Sequence, residues 1–435
     1  MSAFTSVDVA TINTAGLVAF EKSNLIENLK TEIASPNADV VNEALAFVVK
    51  LSKGVDQWIE PYLVNTLPVI LDALAVAKTA EAAKEAGNAV LAKSNSHSIR
   101  LVTNVLYESF TSMKWQTKKG ALVLLGSLAA IHPVVVQRNL PEMILKLIDI
   151  ASDVKKEVKE QTKVAFTEIC STITNVDIIP IIPSVVNGYT DPVKMAEKAL
   201  DSLISTTFIN DVDLPTLGLL VPILIKGMRE KKVVVKRRAA LVIGNMCKLV
   251  NDPRTAATFY PILKPILERG IDEIAVEEVR KVCQDSLNTL QRVSAEAQVL
   301  SDAVATDEQL KTYITEAFTN NGVTDVAQYN TLTDHMSHAM HFLVHGNNRN
   351  NDDWNQCILP YIKSFIPTEE AQAATAAEIY AKGIIGLSPE KVDPEDEEED
   401  LCNAQFSLAY GTRVLLHQTP FRVKIGRKYG LVGPK

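Results

Sequence analysis

Apolar residues recur at helical spacing along the first 300 residues, and prolines mark the recurrence. Apolar segments headed by a proline occur at Pro68, Pro141, Pro183, Pro222 and Pro265. The intervals after Pro141 are 42, 39 and 43 residues, and the 73 residues from Pro68 to Pro141 are close to two units. A segment without a proline, "SIRLVTNVLYESF", fills that longer interval. The pattern predicts a first helix in each repeat, headed by a proline in five of them and without one in the unit at residues 98–110.

A second helix follows each first helix, with small and apolar residues at helical spacing. Examples are "KKGALVLLGSLAAI" and "RRAALVIGNMCKLV". A period of about 40–47 residues with two helices per unit is typical of HEAT repeats. One helix pair cannot bury its apolar face alone, whereas stacked pairs share a continuous core. The sequence therefore predicts an all-α fold, with a HEAT-repeat α-solenoid over residues 1–300; an irregular all-α domain is the alternative.

The repeat is lost in residues 301–390, but the helical pattern continues through four amphipathic segments. Four helices with short connections indicate a four-helix bundle. Residues with short polar side chains precede these segments and are expected to cap the helices. The predicted N-caps are Ser301, Thr324 or Asp325, Asp352 and Thr368.

An acidic run separates the bundle from a different pattern. Residues 393–400 contain seven acidic residues in eight, and such density predicts a solvated linker over residues 391–400. An acidic segment that binds a basic partner is the alternative. Residues 401–435 read as short strands, with Cys402, Ala404 and Phe406 alternating with polar neighbours, then "TRVLLH", "FRVKI" and "YGLVG". These strands are too few to enclose a core, so we expect them to begin a further domain.

Composition limits the class of protein. The length of 435 residues predicts two to four folded units, and 47% hydrophobic and 22% charged residues indicate a soluble, folded protein. The chain has no apolar run of about 20 residues and no basic region at its start, so neither a membrane span nor a secretory signal is expected. Its five scattered cysteines form no C-x-x-C pair, which indicates buried, reduced thiols and a cytoplasmic location.

Three stretches resemble fungal-type translation elongation factor 3, a family of the ATP-binding-cassette F group. They are "EDLCNAQFSLAYGTRVLLHQTPFRVKIGRKYGLVGP" near the end, "KRRAALVIGNMCKLVNDP" at residues 236–253 and "MKWQTKKGALVLLGSLA" at residues 113–129. The order of helical repeats, bundle, acidic linker and cassette start also resembles that family. A close paralogue is included in this resemblance.

The resemblance implies that the complete protein binds ATP and magnesium in two cassettes. Tyr410 falls at the position that stacks on adenine, and Gly433 and Pro434 match the start of the phosphate loop. Lys435 departs from the asparagine common at that place. The loop lysine, its serine or threonine and the catalytic carboxylate are missing from these 435 residues. We therefore expect no cofactor, no catalytic residue and no ATP hydrolysis for this chain alone.

A basic segment carries the candidate interface, because residues 226–239 hold seven basic residues and one acidic residue. We expect Lys231 and Lys232 in the turn between two helices, and Lys236, Arg237 and Arg238 at the start of the second helix. Equivalent places in neighbouring repeats carry Lys118 and Lys119, and Lys155 and Lys156, which would stack with this segment along one edge of the solenoid. Such a stripe suits phosphate contacts, although solvated helix ends, interrupted by Glu157 and Glu160, are the alternative. The candidates are Lys118, Lys119, Lys155, Lys156, Lys231, Lys232, Lys236, Arg237 and Arg238.

Four histidines, His335, His338, His341 and His345, lie at spacings of three, three and four residues. This spacing could place imidazoles along one side of a helix for a metal ion. Because no matching cysteine or carboxylate pattern accompanies them, we expect a partly exposed helix face and assign no metal site.

The resemblance implies a ribosomal partner, meaning ribosomal RNA and ribosomal proteins, with elongation factor 1A and tRNA as further partners. The hypothesis is a ribosome-docking region whose complete protein uses ATP hydrolysis to promote elongation and release exit-site tRNA. Membranes and DNA are not expected as partners. The alternatives are a paralogue acting in termination, ribosome recycling or messenger RNA export, and a free-standing helical-repeat adaptor that binds protein partners.

Overall fold

The computed structural model describes residues 8–206, 208, 210–250, 252–295, 304–363, 365–387, 400–410, 413–425 and 429–430. Within this part of the chain the fold is all-α apart from a β-hairpin, which confirms the predicted fold class. The contacts divide the chain into two compact units. The first unit comprises Met1–Ile173, Val186–Ala196 and Val299–Ser388, and the second comprises Thr174–Val185, Glu197–Gln298 and Pro389–Lys435.

The N-terminal repeats of the first unit consist of paired helices. The helices are α1 (Val9–Lys22), α2 (Leu25–Ile33), α3 (Ala38–Gly54), α4 (Glu60–Val64), α5 (Leu67–Leu74), α6 (Ala80–Lys93), α7 (Ile99–Ser109), α8 (Trp115–Ile131), α9 (Pro133–Ala151) and α10 (Lys156–Cys170). The second helices α3, α6, α8 and α10 pack side by side, and α5, α7 and α9 pack against them as first helices.

The core of these repeats is built from the apolar positions that set the period. Phe20 packs edge-to-face against Trp58 and Tyr62, with ring centroids 5.3 and 5.2 Å away. Trp58 and Phe166 are fully buried. Burial of a large apolar side chain contributes about 1.5–3 kcal/mol, so the stacked helices hold each other in place without a central sheet.

The second unit contains the later repeats. Gly244 shows how closely its helices approach, because a Cβ there would lie 2.6 Å from Ser286 Oγ. Ser286 Oγ itself donates to the Ala240 carbonyl at 2.7 Å. The helices of this unit are α13 (Leu214–Arg229), α14 (Val233–Lys248), α15 (Pro253–Glu273) and α16 (Glu277–Ala295), and α11 (Ile182–Thr190) and α12 (Pro192–Ile204) contain the residues where the chain passes between units.

The prolines that revealed the repeat do not all begin helices. Pro68 and Pro183 lie in the first turn of α5 and α11, as predicted. Pro141, Pro222 and Pro265 instead lie inside α9, α13 and α15, so the prediction that they head their helices is wrong. A proline inside a helix removes one backbone hydrogen bond, which packing on both sides can offset. The residues at the true helix starts are Pro133, Pro215 and Pro253.

The four helices after the repeats form the predicted bundle, and each packs against two of the others. Trp354 is fully buried at its centre, and its indole N–H donates to the Asn348 carbonyl at 2.8 Å. The bundle belongs to the same compact unit as the N-terminal repeats. Its helices are α17 (Asp307–Asn320), α18 (Asn330–His345), α19 (Asn351–Ile362) and α20 (Glu369–Gly383).

The strand prediction is confirmed for β1 (Asp400–Tyr410), which pairs antiparallel with β2 (Arg413–Lys424). The described residues of "TRVLLH", from Arg413 onward, and "FRVK" of "FRVKI" lie in β2 as one strand, not as two, and Pro420 stands opposite Gln405. Tyr429 and Gly430 are not in a strand, and the rest of "YGLVG" lies outside the described residues.

The domain boundaries of the sequence stay predictions. Residues 296–303, around the expected end of the solenoid, and the acidic linker up to residue 399 lie outside the described residues. The cysteine prediction is confirmed for Cys170, Cys247, Cys283 and Cys357, which are buried, and it is wrong for Cys402, which is exposed on β1.

Candidate nucleic-acid interface

The basic candidates of the first unit lie where two second helices begin. Lys118 and Lys119 are in the first turns of α8, whereas Lys155 is the N-cap of α10 and Lys156 is its first residue. The N-cap of α8 is Lys114. Lys155 is therefore equivalent to Lys114, and the assumed equivalence with Lys118 is wrong by about one helical turn. Sequence reasoning missed Lys114, which alignment of the helix starts would have found.

An acidic residue of the next repeat neutralises Lys118. Its Nζ lies 2.8 Å from Asp153 Oδ2, and the two side chains are only 21% and 12% exposed. Burial alone would raise the pKa of Asp153, but the hydrogen bonds from Lys118 and the Lys155 amide, together with the positive charge of Lys118, hold that pKa below its usual value. Lys118 therefore supports the stacking of repeats and is not available to a phosphate.

Lys156 also has an acidic neighbour, Glu160 Oε1 at 3.6 Å on the same helix. Both of these side chains are exposed, so the pair contributes little. Lys119 and Lys155 are exposed and form no ion pair within the described residues.

The basic candidates of the second unit lie between α13 and α14 and along the first turns of α14. Lys231 and Lys232 are in the inter-helix turn, as predicted. Lys232 pairs with Glu197, and this hydrogen bond raises the pKa of the lysine. Arg237 donates from Nε and Nη2 to Glu278 Oε1 at 2.9 and 2.7 Å.

Three of the five basic candidates of this unit form no ion pair among the described residues. Lys231 and Arg238 are exposed, and Lys236 is half-buried. Because a carboxylate already compensates Lys232 and Arg237, the surplus positive charge belongs to Lys231, Lys236 and Arg238. The nine candidates therefore differ in their availability for phosphate contacts.

One exposed face of α14 adds the cation Lys248 to this surplus charge. The face is formed by four residues at spacings of three, four and three: Arg238, Leu241, Asn245 and Lys248. Together with Phe208 they line a cavity of about 520 Å³. Sequence reasoning missed Asn245 and Lys248, although their helical spacing from Arg238 was a usable signal.

The nucleotide candidates are only partly described. Tyr410 is the last residue of β1, and its side chain lies outside the described part of the structure. Gly433 and Pro434 lie outside the described residues. Their roles stay predictions.

The histidine cluster is split by its environment. His338 and His345 are exposed and His341 is half-buried, as expected for a partly exposed helix face, whereas His335 is buried against Glu60. His341 Nδ1 lies 2.5 Å from Asp307 Oδ1. Among the described residues no group of three or more histidine, cysteine or carboxylate side chains is placed to hold a metal ion.

Along its described residues the chain contains no helix whose length and apolar character would suit a bilayer crossing.

The stacked helix pairs make this a HEAT-repeat protein. Comparison with known families identifies which family of HEAT-repeat proteins it belongs to. Residues 5–166 match the family described as EF3 N-terminal HEAT repeat. Residues 195–301 match the family described as Elongation factor 3/GNC1 HEAT repeat. The chain belongs to the elongation factor 3 family.

Two curated relatives agree with this assignment. Elongation factor 3 of Gonapodya prolifera is 34% identical over 97% of this chain, and that of Phytophthora infestans is 33% identical over 94% of it. The chain spans about 40% of the length of these curated relatives. Among solved structures, Kap121p aligns with 85% of this chain and 46% of its own, at 14% identity and a TM-score of 0.35.

Proposed function

We propose that this chain is the ribosome-docking region of an elongation-factor-3-like translation factor in the cytoplasm. The observation that carries the proposal is the alignment of 97% of the chain with elongation factor 3 of Gonapodya prolifera. In this proposal the stacked repeats provide the surface that contacts the ribosome, and the cations without an ion pair provide its positive charge.

The partner contacts are proposed to be electrostatic and directed at ribosomal RNA. Lys119 and Lys155 in the first unit, and Lys231, Lys236 and Arg238 in the second, form no ion pair within the described residues. A lysine or arginine that neutralises a phosphate releases a condensed counterion, which favours binding and makes it depend on salt. Ribosomal proteins, elongation factor 1A and tRNA are proposed as further partners.

ATP and magnesium belong to the complete protein in this proposal. Tyr410 would stack on adenine, and Gly433 and Pro434 would begin the phosphate loop. Hydrolysis in the complete protein would promote elongation and release of exit-site tRNA. The present chain contributes docking.

Co-sedimentation with ribosomes tests the proposal. We expect the wild-type chain to pellet with ribosomes at low salt. The triple variant Lys231→Glu, Lys236→Glu and Arg238→Glu should bind at least about tenfold more weakly, because three phosphate contacts become repulsive. Reversal of three exposed lysines outside the candidate set, Lys50→Glu, Lys78→Glu and Lys363→Glu, is the matched control for net charge.

Two results would count against the docking role. One is a wild-type chain that stays in the supernatant at low salt, which would favour the free-standing adaptor. The other is an equal loss for the triple variant and its control, which would mean that net charge alone governs pelleting.

A further inference from the structure

A groove in the second unit lies between the end of α12, the segment that follows it and α14. It encloses a cavity of about 520 Å³, a volume within the range of ligand sites. Its lining includes Ile204 at the end of α12, Phe208 of the following segment, and Arg238, Leu241, Asn245 and Lys248 of α14. We call this cavity the α14 groove.

The segment that carries Phe208 is fixed by hydrogen bonds. The backbone amide and the side-chain amide of Asn210 donate to the two carboxylate oxygens of Asp177, each at 2.7 Å. The Val212 amide donates to the carbonyl of Leu249, the C-cap of α14, at 2.8 Å. Phe208 is therefore held beside α14 before a ligand binds, which lowers the entropic cost of binding.

The α14 groove is positively charged. Its lining contains three cations and no carboxylate among the described residues. Arg237 is already paired with Glu278, but Arg238 and Lys248 are exposed and form no ion pair within the described part of the chain. Cations that no carboxylate opposes attract an anion, so the ligand that suits this groove carries negative charge.

The apolar part of the α14 groove narrows the class of anion. Leu241 is 39% exposed and Phe208 is half-buried, so both leave apolar surface open. A free phosphate or a carboxylate would not cover this surface, whereas a nucleotide joins a charged phosphate to a flat base. Asn245 is exposed on the same face of α14, and its amide offers both a donor and an acceptor to the edge of a base.

The spacing of the cations suits a strand of several nucleotides. Arg238 and Lys248 are separated by about 15 Å along α14, at a rise of about 1.5 Å per residue. Stacked nucleotides advance by about 3.4 Å along a strand, so these cations suit phosphates about four nucleotides apart. The bases of an A-form duplex are paired inside it, so a duplex would leave Phe208 and Leu241 uncovered.

We propose that the α14 groove binds an unpaired segment of RNA. One base stacks on Phe208 and is held at its edge by Asn245, and the flanking phosphates contact Arg238 and Lys248. Every base has a face that stacks, so the groove selects unpaired RNA and not a particular sequence. This inference rests on the proposed docking on ribosomal RNA and adds the form of RNA that is recognised.

The test measures the anisotropy of a fluorescein-labelled decauridylate titrated with the full chain. Phe208→Ala should weaken binding about fivefold to tenfold, because the base loses its stacking partner. Phe208→Tyr keeps the ring and should bind like the wild type. Asn245→Ala should weaken binding about threefold through the lost hydrogen bond, and because Asn245 is exposed this variant tests the groove without disturbing the core.

The salt dependence separates stacking from phosphate contact. Lys248→Gln should make the slope of log affinity against log salt shallower by about 0.7, the value for one phosphate contact to a single strand. Phe208→Ala should lower the affinity equally at every salt concentration and leave the slope unchanged. Tyr260→Ala is the matched control, because Tyr260 is a half-buried ring of α15 that does not line the groove, and its affinity should equal that of the wild type.

Three results would overturn the inference. The first is salt-dependent binding of decauridylate that Phe208→Ala and Asn245→Ala leave unchanged. The second is a labelled RNA duplex of equal strand length that binds as tightly as the single strand and is weakened equally by Phe208→Ala. The third is a labelled decaglutamate peptide that Phe208→Ala and Lys248→Gln weaken as they weaken decauridylate, which would make the ligand an acidic peptide.

Ribosome co-sedimentation distinguishes a failure of this inference from a failure of the proposed function. A wild-type chain that pellets with ribosomes but does not bind decauridylate at low salt would overturn the role of the α14 groove and leave the docking role in place. A chain that binds decauridylate through Phe208 but does not pellet would support the groove and contradict docking on the ribosome.

Discussion

At the scale of single residues, Glu60 shows how the N-terminal repeats and the bundle are held together inside the first unit. Its side chain is fully buried at the start of α4. A buried carboxylate is tolerated only when donors satisfy its oxygens. The donors here are Gln57 Nε2 at 2.5 Å, the Asn95 amide at 3.1 Å, Ser98 Oγ, Tyr361 Oη at 2.8 Å and His335 Nε2 at 3.3 Å.

The variant Glu60→Gln tests this cluster. It keeps the shape but removes the charge and places an NH2 group among donors, so we expect the free energy of unfolding to fall by about 3 kcal/mol. Urea unfolding would measure the loss. The exposed Glu81→Gln should change it by less than about 0.5 kcal/mol. A loss in Glu60→Gln no larger than in this control would show that the cluster is not stabilising.

The same cluster predicts a pH dependence. Burial alone would raise the pKa of Glu60, but hydrogen bonds from His335, Ser98 and Tyr361 and the charge of His335 lower it below the ordinary value of 4.5. A carboxyl group whose pKa is lowered by folding stabilises the fold above its unfolded pKa, and this contribution is lost as the pH falls through the folded pKa. We expect the difference between wild type and Glu60→Gln to be largest near neutral pH and to shrink below 4.5. Unfolding curves with a constant difference would contradict this assignment.

Single residues also show where sequence reasoning stops. The composition of residues 226–239 correctly located exposed cations at a helix start, but not which of them remain available. Lys118 meets Asp153 and Lys232 meets Glu197 across 35 residues of sequence. These pairs form only because consecutive repeats stack, and charge patterns within one helix do not reveal them. One donor to Glu60 is Tyr361, which is 301 residues away in the sequence. The local sequence around Glu60 therefore does not reveal this contact either.

At the scale of elements, apolar periodicity predicted the second helices and the four bundle helices correctly, because burial of one face determines their pattern. The residues that cap the helix starts were harder to predict from the sequence. Thr368 caps α20 as predicted, accepting from the Ala371 amide at 3.3 Å. Asn350 replaces Asp352 as the cap of α19, Asp325 makes no side-chain cap, and Ser301 lies outside the described residues. Several polar residues precede each helix, and local sequence does not choose between them.

The capping box of α17 gives a prediction at this scale. Thr306 Oγ1 accepts from the Gln309 amide at 3.3 Å, and Gln309 Oε1 accepts from the Thr306 amide at 2.9 Å. Thr306→Ala should lower the free energy of unfolding by about 1 kcal/mol, because two backbone donors lose or weaken their partners. Thr319→Ala, in the last turn of the same helix and exposed, is the control and should have little effect. Equal stability of the two variants in urea would contradict the capping role.

At the scale of the whole chain, the repeat period established the architecture before any contact was known, because stacked helix pairs leave a regular pattern of buried positions. The prolines indicated the repeat although three of them, Pro141, Pro222 and Pro265, lie inside helices and do not begin them. The proposed function did not follow from the fold. It rests on membership of the elongation factor 3 family and on the placement of surplus cations, and the chain spans about 40% of its curated relatives.

The salt dependence of ribosome binding tests the docking claim most directly. For the wild-type chain, the logarithm of the association constant should fall linearly with the logarithm of salt concentration. The triple variant Lys231→Glu, Lys236→Glu and Arg238→Glu should have a slope shallower by about three, one for each lost phosphate contact. A wild-type affinity that does not change with salt, or a slope that is the same in the triple variant, would contradict docking on RNA through these residues.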